Sequence, residues 1–159
     1  MRKQIYLPVV IITGFILFQG FQNNNETAEA LLKIKKQFQF DLDLIHQEIQ
    51  EFVHTAAGLE AKEPSAQQLR QAHLAAKSAY KNAEFLIAYI DGYEVKKSIN
   101  GAPLLSVEPN VPEVAIIEPS GFQVLDEMVF EDNPFDIKAD ILSKAQKLLQ
   151  DFEALRNYQ

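Results

Sequence analysis

Apolar residues recur at three- and four-residue spacing along most of this chain. Leu31, Ile34, Phe38, Leu42, Ile45, Ile49, Phe52 and Val53 make one stripe, the mark of a helix that buries a single face. Asn25 is placed to cap it, with Glu26 and Glu29 in the first turn, where carboxylates favour the helix dipole. The pattern fades in HTAAGLEAKEP, where Gly58 and Pro64 act as stops. Ser65 to Gln68 reads as a capping box that opens a second helix. Its stripe is Leu69, Ala72, Ala76, Ala79, Ala83, Leu86, Ile87 and Ile90, ending at Asp91-Gly92. Ser120 to Gln123 is a second capping box, opening a short helix that reaches about Phe130. Asn133-Pro134 starts the last helix, with Ile137, Ile141, Leu142, Ala145, Leu148, Leu149, Phe152 and Leu155 on its apolar side. Between them, residues 92–119 hold Gly92, Gly101, Pro103, Pro109, Pro112 and Pro119 and read as a long irregular loop. VPEVAIIEP within it suits an extended segment, with Ile116 and Ile117 packed inward. The pattern predicts an all-α fold: an up-and-down bundle of three long helices and one short helix, with a long Pro-rich loop.

The first residues break this pattern. MRKQ is basic, Ile5 to Phe18 is an unbroken run of mostly apolar residues, and QGFQNNNE turns polar. A membrane-spanning helix needs about 20 apolar residues. Residues 1–22 therefore read as a signal peptide or N-terminal anchor, with a signal peptide the better fit. The expectation is an exported, periplasmic protein with a possible membrane tether through residues 5–18, and a helical domain over residues 25–159.

A chain of 159 residues, 47% hydrophobic, suits one domain with a sizeable core. The formal charge is −7, and without Arg2 and Lys3 it becomes −9. No basic patch offers itself to phosphates, so no nucleic acid is expected as a partner. There is no Cys, which excludes disulfides, thiolate zinc sites, iron–sulfur clusters and CxxCH haem attachment within this chain.

Two constellations can carry chemistry. His73, Tyr80, Glu84 and Asp91 fall near one line of the second helix. Tyr80 and Glu84 either point at a ligand between helices, or fill the core with the hydroxyl paired to Glu84. Gln123 and Asp126 stand three apart on the short helix, a spacing at which two side chains can share a ligand. Alternatively they form a wet face, with Gln123 returning to cap Ser120. Two such groups fall far short of a calcium or magnesium shell, so no metal site is expected. Asp41, Asp43, Glu48 and Glu51 read as a solvated acidic face, and His46, His54 and His73 show no metal-ligand spacing. No GxSxG, HExxH, phosphate-binding loop or GxGxxG is present.

Ala76 to Leu86, AKSAYKNAEFL, resembles the AR-x-x-Y-x-x-x-E-x-F pattern of imelysin-like proteins. Lys77 stands at the Arg position, Leu86 at the Phe position, and Tyr80 and Glu84 match. Gly121 to Phe130, GFQVLDEMVF, resembles that family's GxHxxE stretch, with Gln123 for the His and Asp126 for the Glu. Residues 97–130 are more closely similar to the N-terminal helical domain of Bacteroidetes cytochrome-c peroxidases, in which Gln replaces that His. The resemblance spans residues 65–150.

The resemblance implies an exported, non-catalytic helical domain that packs against a di-haem peroxidase domain or an electron-donor protein. The c-type haem, and the oxidoreductase chemistry on hydrogen peroxide, would belong to a downstream domain, with no cofactor in this chain. The alternative it implies is a stand-alone haem- or iron-binding protein, with Tyr80, Glu84, Gln123 and Asp126 lining the site and His73 assisting. An imelysin-type peptidase is the remaining reading, weakened because a Gln cannot replace an imidazole as ligand or base.

Overall fold

The computed structural model describes the backbone of residues 6–108 and 115–157. Side chains are described from Glu26 onward, apart from Pro64, Ser106, Glu108, Ala115 and Ile117. The fold is all-α: α1 (Tyr6–Ala57), α2 (Glu63–Ile90), the short α3 (Gly92–Glu94), α4 (Phe122–Val129) and α5 (Lys138–Asn157). α3 runs directly into a π-helical turn, Val95–Ile99. The long connection then carries a two-stranded antiparallel ladder, β1 (Ser106–Glu108) against β2 (Ala115–Ile117), with Val107 opposite Ile116. Three long helices and one short one are present as expected. Residues 92–99 and the ladder give the loop more structure than its Gly and Pro content suggested.

The chain divides into two compact units, residues 1–39 and 40–159. In the first, α1 carries Leu31, Leu32 and Ile34 outward to solvent, and Lys33 pairs with Glu29 one turn back at 2.8 Å. Burial along the predicted stripe begins at Leu42, within the second unit. Asn25, expected at the start of the helix, has its backbone well inside α1. Among the described residues no helix is long and apolar enough to cross a membrane. The apolar run and its possible tether lie outside the residues whose side chains are described.

In the second unit the stripes meet. Leu42, Ile45, Ile49 and Phe52 of α1 are buried with Leu69, Ala76, Tyr80 and Ile87 of α2 and Ile141, Leu148 and Phe152 of α5. The helices alternate in direction. Phe52 touches His73 soon after the α1–α2 turn, Lys138 at the start of α5 donates to the Leu59 carbonyl, and Arg156 at its end pairs with Asp43. The starts of α2 and α5 differ from expectation, as does that of α4, described below. α2 begins at Glu63 with Pro64 in its first turn, where a missing N–H costs nothing. Ser65 instead accepts from the Glu60 N–H, closing the α1–α2 turn. Asn133 and Asp136 form a side-chain-bonded turn, and α5 begins after it at Lys138. Ile116, expected inward, is 66% exposed on its strand, which pairs with β1 in a two-stranded ladder.

Candidate functional site

The two motif stretches lie on α2 and α4, and these helices pack together. What brings α4 into place is the turn before it. Gly121 has φ +95° and ψ −169°, a region open essentially to glycine alone. A Cβ there would sit 2.4 Å from the Ile99 carbonyl oxygen. This close approach lets Gly121 form an antiparallel bridge with Asn100, where the π turn ends. The next residue, Phe122, is then fully buried and stacks on Tyr80, with ring centroids 5.2 Å apart.

The five motif side chains form two groups. In the first, His73 Nε2 bonds Asp126 Oδ1 at 2.8 Å, and Lys77 donates to Asp126 Oδ2. A carboxylate can only accept, so the ring proton of His73 is assigned to Nε2. His73 is wholly buried among Phe52, Phe122 and Phe130, with centroids 5.1, 6.1 and 6.3 Å away, and its Nδ1 has no hydrogen-bond partner. Burial lowers its pKa from the ordinary histidine value, against the opposing pull of Asp126. For Asp126 burial acts upward, but the hydrogen bonds from Lys77 and His73 outweigh it and hold the carboxyl below its usual range.

The second group surrounds Asn100. Gln123 Nε2 donates to the Asn100 carbonyl at 2.9 Å, and Asn100 Nδ2 donates to Glu84 Oε1 at 2.8 Å. Lys81 holds both oxygens of Glu84 from one turn away. Burial again acts upward on Glu84 and is outweighed, here by Lys81, Asn100 and Tyr80, so its pKa lies below the usual value. Tyr80 fills the core, as one of the two readings held. Its hydroxyl meets no partner at hydrogen-bonding geometry. Burial first, and the charge of nearby Glu84 second, push its pKa strongly upward. The hydroxyl is therefore a neutral phenol at any ordinary pH.

Gln123 and Asp126 thus share nothing, despite their spacing. One ties α4 to the Asn100 turn, the other ties α4 to α2. Nor does Gln123 cap Ser120, whose hydroxyl turns instead to the Lys97 and Ser98 carbonyls. Asn100 was legible only as a turn residue and Lys77 only as a substituted Arg, because neither signals a partner distant in sequence. Asp91 stays apart from both groups and caps α3 through the Glu94 N–H. A surface groove of about 580 Å³ between α1 and α2 is lined by residues such as Glu51, Thr55, Gln68 and Ala72, and by none of the five.

These residues do not fit an iron or haem-iron site. Both Asp126 oxygens are engaged, one by a Lys77 ammonium standing where a cation's charge would be needed. His73 Nδ1 and the Tyr80 hydroxyl lie behind aromatic rings in a closed core. No family model, curated protein or solved structure matches this chain.

Proposed function

We propose that this chain is an exported, non-catalytic helical domain of the imelysin-like kind, a supporting module of a periplasmic cytochrome-c peroxidase that packs against a di-haem domain. The observation that carries this reading is the fate of the motif positions. Gln123, Asp126, Glu84 and His73 are spent on one another, on Lys77 and Lys81, and on Asn100. A site that served catalysis has, on this reading, become a fastening between two helices and a turn. The absence of Cys keeps c-type haem chemistry out of this chain. Phe85 and Tyr89, four residues apart on α2 and 83% and 82% exposed, offer an aromatic pair of the kind that buried interfaces use as anchors.

The test is binding of the purified chain to a separately expressed di-haem peroxidase domain, followed by calorimetry. Saturable binding that weakens at least tenfold in Phe85→Ser/Tyr89→Ser is the expected result. No binding to the haem domain would remove this reading.

A further inference from the structure

The α2–α4 contact is balanced on one uncharged imidazole. With His73 neutral, the Lys77 ammonium and the Asp126 carboxylate cancel, and the ring's only N–H is used. A second proton can go only to Nδ1. The groups facing His73 are Asp126, Phe122 and Phe130 on α4's side, Phe52 from α1, and Lys77 from α2 itself. None but Asp126 can accept, and Asp126 is already bonded to the other nitrogen. Protonation would therefore create a buried N–H with no acceptor and place two cations on one carboxylate.

We infer that His73 is an acid-sensitive latch, and that protonation at Nδ1 releases α4, with the Asn100–Gly121 turn, from the α2 face. The element to be released suits the role. α4 spans only eight residues and is flanked by non-helical segments, whereas α2 and α5 span 28 and 20. Short elements with few tethers open at lower cost than long ones packed along their length. Among the described contacts, Arg70 of α2 also bonds the Val129 carbonyl and, just past α4, the Glu131 carbonyl, and Phe122 stacks on Tyr80. The sign is set by linkage. Opening exposes a ring of ordinary affinity for protons, so acid pulls the equilibrium toward the open form. Below about pH 6.5 the opening constant of α4 rises by up to about tenfold per pH unit, until the ring protonates in the closed form as well.

The experiment is amide hydrogen exchange on the full chain from pH 7.5 to 5, corrected for the intrinsic exchange rate, with a histidine titration followed by NMR. Residues 122–129 should lose protection in that interval while α5 and the buried part of α1 keep theirs. His73 should titrate below the ordinary value. Simultaneous loss in α4 and α5, or a His73 that titrates at or above the ordinary value, would overturn the latch. His73→Gln keeps an amide donor for Asp126 and cannot titrate, so its α4 protection should be independent of pH. Acid-driven opening that persisted in it would also overturn the latch. If that variant fails to fold, the wild-type titration decides alone.

Discussion

Asn100 and Gly121 face each other across a single antiparallel bridge, which joins the end of the π turn to the start of α4. The pairing works because Gly121 has no Cβ at a point where the Ile99 carbonyl lies 2.4 Å from the position one would occupy. Gly121→Ala must pay both a forbidden backbone conformation and a steric overlap with backbone that cannot yield. The expected loss is on the order of 3 kcal/mol or more, read as a lower urea midpoint with little change in slope. A loss under about 0.5 kcal/mol would mean that the bridge is absent in solution.

Asp126→Asn tests the first polar group. At pH 7 it removes a carboxylate that two cationic or N–H donors share, leaving Lys77 without its counter-charge at the helix contact. About 1–3 kcal/mol of stability should be lost. The pH dependence gives the check. Asp126 has a lower pKa in the fold than in the unfolded chain, so its contribution is present above about pH 4 and is lost as pH falls through the folded value. Denaturation curves of wild type and Asp126→Asn should therefore converge toward pH 2. Parallel curves down to that pH would show that the carboxylate carries no such linkage.

Tyr80→Phe should cost almost nothing. The buried hydroxyl meets no partner at full hydrogen-bonding geometry, and the Glu84 carboxylate near it is already held by Lys81 and Asn100. A change within about 0.5 kcal/mol, of either sign, is expected by thermal denaturation. Tyr80→Ala, which deletes the ring stacked on Phe122, should cost about 3–5 kcal/mol. A large loss in Tyr80→Phe would locate a partner for the hydroxyl.

Gln123→Glu is a finer probe of the second polar group. Gln123 works as a donor to the Asn100 carbonyl, and a carboxylate of the same shape can only accept. The charged variant should be less stable than Gln123→Ala at pH 7, and should recover below pH 4 as the carboxyl gains a proton to donate. Equal stability of the two variants at pH 7 would place Gln123 outside that bond.

The helices were legible in the order of residues because helical burial is a local rule. Ile45, Ile49 and Phe52, like Leu148 and Phe152, fall on one face by spacing alone, and one face is what a bundle buries. The same rule misread Leu31 and Ile34, since spacing says which side is apolar and says nothing of what lies against it. It likewise placed Ser65, Ser120 and Asn133 as caps, when tertiary contacts recruit the first two to other backbone groups and the third to a turn. The motif positions were visible as residue types. Their roles were not, because a hydrogen bond between His73 and Asp126, 53 residues apart, or between Gln123 and Asn100, 23 apart, exists only once two helices and a turn have docked. The sequence by itself determined the helices and the chemical inventory. Only the tertiary structure decided that this inventory faces inward and is spent on holding α4 in place, because partner choice depends on distances that chain order does not encode.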